Sequence, residues 1–182
     1  MKAKFVLLIV LFSSILIGCK DEKSVDNLEV VKHEVADDLF RVTLKVIVKK
    51  QDDFALFYTE DGSVNFFDVK PIWQGVKSSD VEQDVTFVLP QDVYPSQLRF
   101  DLGLKEDQED IVIKGVKMTY KGNVFEAYGT EFFTYFRADE NQCKIDPSSG
   151  LVTANVENGK RKVPSIYPHQ AILGQKLENL GM

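Results

Sequence analysis

Apolar and polar residues alternate with a period of two through much of this chain. From residue 40 to residue 49, Phe40, Val42, Leu44, Val46 and Val48 alternate with Arg41, Thr43, Lys45, Ile47 and Lys49. Successive side chains of a strand point to opposite faces, so the pattern predicts a β-strand with one buried face. Residues 54–68 predict two strands, Phe54–Thr59 and Val64–Asp68, joined through Asp61-Gly62. Asp-Gly accepts the positive φ that tight hairpin turns demand. Further strands are predicted at 84–90, 97–104 and 110–128, the last divided into a hairpin at Lys121-Gly122-Asn123. Inside it, Ile111 and Ile113 share one parity, whereas Val116, Met118 and Tyr120 share the other. Gly115 lies where the phase slips, and a β-bulge there places both sets on the core side. Across residues 36–128 such strands recur between Gly, Pro, Asp and Ser, with no helical periodicity. The prediction is an all-β, antiparallel sandwich.

The pattern changes in residues 129–182. A dense aromatic run, Phe132, Phe133, Tyr135 and Phe136, precedes two short strands at Cys143–Ile145 and Leu151–Val156 that flank a Pro- and Gly-containing turn. Near the end, Leu173, Leu177 and Leu180 recur at helical spacing, with Pro168 suited to the first helical position and Gly181 to closing the helix. A small β-hairpin and one short helix are therefore expected to pack on the sandwich. Four large aromatics in five positions need a cover, either the sandwich itself or a partner protein.

At the other end, Lys2 and Lys4 precede thirteen uncharged residues, Phe5 to Ile17. That run is shorter than the roughly 20 apolar residues a spanning helix needs, so it reads as a secretory signal peptide over 1–18. Its end, Leu16-Ile17-Gly18-Cys19, resembles the lipobox of bacterial lipoproteins. The resemblance implies cleavage before Cys19, acylation of its thiol and amine, and anchoring to a membrane by lipid alone. Lys20-Asp21-Glu22 resembles the signal of surface-exposed lipoproteins in the Bacteroidota, and equally suits a solvated tether over 19–35 with a short strand at Leu28–Lys32. The expected location is the outer membrane, lipid-anchored, with exposure at the cell surface a further expectation.

Charge and cysteine supply narrow the function. The formal net charge is −6, and cleavage would remove Lys2 and Lys4, giving −6 − 2 = −8. That balance argues against nucleic acid as a partner, which demands a basic patch. Of two cysteines, Cys19 would carry lipid and leave Cys143 alone, so no intrachain disulfide is expected. Cys143 reads as a small buried apolar residue.

Catalytic chemistry is poorly supplied. The two histidines, His33 and His169, fall in the tether and the terminal helix, where neither suits a nucleophilic set or a zinc site. Asp80, Glu82 and Asp84 read as a solvated stretch entering a strand, and Glu106 to Asp110 as a hairpin tip. A carboxylate-based, glycan-active enzyme is the alternative to a non-catalytic protein. No cofactor is implied, although distant loops could assemble a structural calcium site.

The aromatic inventory offers more. Trp73 is the sole tryptophan. If Ile72 and Val76 point inward, Trp73 points outward beside Gly75, and its flat ring can stack on the apolar face of a sugar. The other reading buries Trp73 against the aromatic run.

Residues 38–128, with a strand ending in Leu89-Pro90, then Leu98-Arg99-Phe100-Asp101, then the strand from Ile111 to Met118, resemble jelly-roll modules of bacterial envelope proteins. They are similar in style to galactose-binding-like and carbohydrate-binding accessory domains. Many such modules have Pro after the Asp, where this chain has Leu102. The resemblance implies a binding or accessory role. Arg99 and Asp101 share a strand face, where they can form a salt bridge or present polar groups to sugar hydroxyls. The expected function is a non-catalytic lipoprotein that binds glycan or another envelope component through Trp73 and Tyr58, with Arg99 and Asp101. The alternative is an assembly subunit docking through Phe132, Phe133, Tyr135 and Phe136.

Overall fold

The computed structural model describes residues 38–182. The expected signal peptide, Cys19, the expected tether with its expected short strand, and His33 lie outside the described residues. All the described residues belong to one compact unit.

Two antiparallel sheets make an all-β sandwich. Sheet A runs in the order β4 (Ser79–Val88), β1 (Arg41–Val48), β6 (Ile111–Tyr120), β10 (Leu151–Ala154), β9 (Cys143–Asp146), and β7 (Asn123–Tyr128) also pairs with β6. Sheet B runs β3 (Ile72–Val76), β2 (Asp52–Thr59), β5 (Gln97–Leu102), β13 (Ser165–Pro168), β8 (Phe136–Ala138). A minor hairpin joins β11 (Val156–Glu157) to β12 (Lys160–Arg161). The alternating residues of β1, Val42 to Val48, are fully buried, as are Phe54, Leu56, Leu98 and Leu102 of sheet B. The sheets meet through Phe87 and Phe100, whose rings lie 6.1 Å apart.

The phase slip in β6 is a bulge. Lys45 pairs with Gly115, but the next residue, Val46, pairs with Ile113, so Lys114 is the extra residue. Ile111, Ile113, Val116 and Met118 are all buried as a result. The β6–β7 turn, Lys121-Gly122, has positive φ at both positions, the geometry that matches the twist of a two-residue hairpin.

Three local expectations are corrected. Val64–Asp68 is not a strand, because the partner of β2 is β3, and residues 60–71 form a loop between them. Polar side chains there bond their own backbone: Asp61 Oδ1 accepts from the Ser63 amide at 3.0 Å, and Asn65 Oδ1 from the Phe67 amide at 3.2 Å. Such local bonds compete with a sheet ladder. Pro168 does not open the helix but ends β13, where it pairs with Phe136. The helix α2 spans Gln170–Gly181 with His169 at its N-cap, and Gly181 closes it. Leu151–Val156 divides at Asn155 into β10 and β11.

Residues 129–182 are part of the sandwich rather than an addition to it. They supply β9 and β10 to sheet A and β8 and β13 to sheet B. A short helix, α1 (Phe132–Tyr135), buries Phe132 and Tyr135, and Phe132 stacks on Phe136 at 4.8 Å. Helix α2 closes one end, with Leu173, Leu177 and Leu180 buried. It is tied to sheet B by Gln97 Nε2, which donates to the Gln170 carbonyl at 3.0 Å. Its tie to sheet A is Asn123 Nδ2, which donates to the Leu180 carbonyl at 3.0 Å, and the Tyr94 hydroxyl donates to the Leu177 carbonyl.

The other polar anchor is Asp52. Its buried carboxylate accepts from the backbone amides of Leu104 at 2.9 Å and Lys105 at 3.2 Å, and from Gln108 Nε2 at 3.0 Å. This fixes the β5–β6 loop beside the start of β2.

Candidate functional site on the outer face of sheet B

Strand register decides which side chains share the outer face of sheet B. Phe54 and Leu56 point inward with their partners Leu102 and Phe100, so the intervening Ala55 and Phe57 point outward with Asp101 and Arg99. Across the other edges, Ala55 pairs with Trp73, Ser165 with Asp101, and Tyr167 with Arg137. One row across the face is therefore Trp73, Ala55, Asp101, Ser165. The next contains Phe57, Arg99, Tyr167 and Arg137.

Arg99 and Asp101 form a two-pronged ion pair, with Nε to Oδ1 at 2.9 Å and Nη2 to Oδ2 at 2.6 Å. The guanidinium lies over the Phe57 ring at 4.2 Å and near Tyr167 at 5.3 Å, whose hydroxyl accepts from Nη1 at 3.3 Å. Phe66, from the loop after β2, packs edge-on against Tyr167. Both charged side chains are only about 15% exposed, 16% for Arg99 and 15% for Asp101. Burial pulls the Arg99 guanidinium down, but the hydrogen bonds and charge of Asp101 outweigh it and hold it above its ordinary value. The pair chiefly braces the sheet, with aromatic faces completing the cation's surroundings.

The open part of the face is the β3 edge. Trp73 is 51% exposed there, not buried against the aromatic run. Two residues on, Gly75 leaves room beside the ring, and its partner across the rung is the exposed Asp53. The Asp53 Oδ1 atom lies 3.6 Å from where a Gly75 side chain would begin. An apolar plate, a gap and a solvated carboxylate thus sit side by side on two adjacent rungs. A pyranose presents an apolar face edged by hydroxyl donors, and this arrangement can stack the one and accept from the other.

The structure brings Trp73, Arg99 and Asp101 to one face and separates Tyr58 from them. Tyr58 pairs with Leu98 on the inner-facing parity of β2 and packs against the core. The residues missed in the sequence are Asp53, Phe57 and Tyr167. Phe57 carried a signal, since its parity opposes that of Phe54 and Leu56. Asp53 and Tyr167 did not, because their neighbours are set by pairings with strands distant in sequence.

Other candidate chemistry is sparse among the described residues. Cys143 is buried, its Sγ 3.6 Å from the Ser165 carbonyl, and burial pushes its thiol up to about 11. It stays protonated at neutral pH and is a poor nucleophile. No group of three or more His, Cys, Asp or Glu residues is placed to hold a metal ion, and no helix is long and apolar enough to cross a membrane, among the described residues. No protein-family model, curated protein or solved structure matches this chain. The geometry of the site carries the functional reading.

Proposed function

We propose that this chain is a membrane-anchored lipoprotein whose β-sandwich binds glycan, or another cell-envelope component, without catalysis. The observation that carries the binding half is the half-exposed Trp73 beside Gly75 and Asp53 on the open edge of sheet B. Stacking on one exposed indole supplies a modest, sequence-tolerant contact, and Asp53 adds direction by accepting hydroxyl hydrogens. Arg99 and Asp101 act behind this platform, holding β5 and β13 in place. The anchor half rests on the lipobox ending in Cys19 and the Lys20-Asp21-Glu22 that follows it. The alternative, an assembly subunit docking through its aromatic segment, calls for an exposed aromatic patch. Phe132, Tyr135 and Phe136 are instead buried in the core and Phe133 is half-buried, and that favours the glycan reading.

Two experiments test the two halves. A glycan array probed with residues 20–182, which contain the compact unit and its whole described core, is expected to retain a narrow set of neutral glycans. A blank array would move the weight to a protein partner. Separately, Cys19→Ala is expected to abolish acyl labelling and release the protein from membrane fractions. Unchanged labelling would remove the anchor from the account.

A further inference from the structure

Strands β8 and β9 are the edge strands of sheets B and A, consecutive in the chain, and they are not hydrogen-bonded to one another. The sandwich is therefore open along this side, and a cleft of about 620 Å³ lies between the two strands. Its walls are inner-face side chains that elsewhere in a sandwich would be covered. Ala138 and Ile145 face it from β8 and β9, Phe133 from α1, and all three are half-buried. Phe136 and Cys143 form its closed floor. The volume falls within the range of about 300–1,000 Å³ typical of small-molecule sites.

The rim has a different character. Arg137 and Lys144 both line it, and neither makes an ion pair among the described residues, although the chain has more acids than bases. Arg137 is steadied by its position over the Tyr167 ring at 5.7 Å, and one of its amines donates to the Ala138 carbonyl at 3.3 Å. Glu140 is the single rim carboxylate, so two cations face one anion; His169 adds a further nitrogen base. An uncharged apolar ligand would leave these cations without a counterpart, and a small inorganic anion would leave the apolar walls wet.

We propose that this cleft binds a single-chain amphiphile with an anionic head, of the fatty-acid carboxylate class, with its tail between β8 and β9 and its carboxylate at Arg137 and Lys144. The tail gains by leaving water, and the head gains from the two exposed cations of the rim, an attraction that added salt screens. This site lies on the β8 side of the sandwich, whereas the Trp73 platform lies at the β3 edge, so the two stand independently.

The test is calorimetric titration of residues 20–182 with laurate below its micelle threshold, with dodecanol as the uncharged comparison. Saturable binding of one laurate per chain is expected, weaker in high salt and tighter than dodecanol. Ala138→Phe fills the cleft from an edge strand and is expected to weaken laurate binding by at least about tenfold, or 1.4 kcal/mol. Ala138→Leu serves as the milder filling variant if the larger one fails to fold. Lys144→Glu is expected to weaken laurate several-fold while leaving dodecanol unmoved. Absence of saturable binding, or binding indifferent to the filled cleft, would overturn the site. Equal affinity for laurate and dodecanol would overturn the anionic head.

Discussion

A chain ending at Tyr128 is expected to be insoluble, or to lose its cooperative melting transition. Truncation there removes β13 from β5, leaving a bare edge in the middle of sheet B, and removes β10 from the start of β6, uncovering Ile111 and Val112. Exposed edges of this kind are templates for intermolecular pairing. The core loses Phe132, Phe136, Val152, Ile166, Leu173 and Leu177 together, all essentially inaccessible to solvent in the intact protein. Burying one such large side chain contributes about 1.5–3 kcal/mol, against a net domain stability of about 5–15 kcal/mol. Losing six exceeds what the remaining contacts can hold. Expression of residues 20–128, followed by thermal melting of any soluble product, checks this. A soluble fragment with unchanged melting would make residues 129–182 an independent docking segment and bring the assembly reading forward.

Gly115→Ala is expected to be strongly destabilising. Gly115 sits at the bulge in β6, paired to Lys45 on one side and Tyr128 on the other. A methyl group there would meet the Tyr128 ring and stand 2.6 Å from the Ala127 carbonyl oxygen. The ring can swing toward solvent, since Tyr128 is partly exposed, but the carbonyl belongs to the β6–β7 ladder and cannot move without breaking it. Overpacking against backbone costs roughly 3 kcal/mol, near the upper end for added methyl groups. For a unit of this size that lowers the melting temperature by roughly 10 °C. Differential scanning calorimetry of the variant measures it directly. A shift of only a degree or two would mean that the bulge adjusts freely and does not lock the register of β1 against β6.

That bulge was legible in the sequence because only an inserted residue lets a strand switch parity and keep one buried face. The same reasoning located β1, β4, β5, β6 and β7, whose side chains alternate or whose turns carry Gly and Asn. It placed Leu173, Leu177 and Leu180 on the buried stripe of α2 as well. It failed where local polar side chains satisfied the backbone, as Asp61 and Asn65 do in the loop after β2. It failed again at Pro168, because a proline tolerated at a helix start is equally tolerated at the end of a strand. The membership of residues 129–182 in both sheets was hidden, since nothing local announces that Ser165–Pro168 inserts between β5 and β8. The site was half legible. Parity leaves Trp73 either outward or buried against the aromatic run, and Arg99 with Asp101 lie two apart on one strand. The carboxylate beside the indole depends on the rung joining Asp53 to Gly75, twenty-two residues away, and the same register turns Tyr58 away from the site. Pairing partners, more than propensities, separated what could be read from what could not.

Stacking of a glycan on Trp73 can be measured directly, because Trp73 is the sole tryptophan. All tryptophan emission of the protein comes from this one side chain. Titration with the glycan best retained on the array, followed by emission wavelength and acrylamide quenching, reports the indole alone. A blue shift and loss of quenching that saturate together with binding are expected, both absent when Asp53→Ala has weakened the complex. A glycan that binds with the emission and quenching of Trp73 unmoved would contradict the stacking.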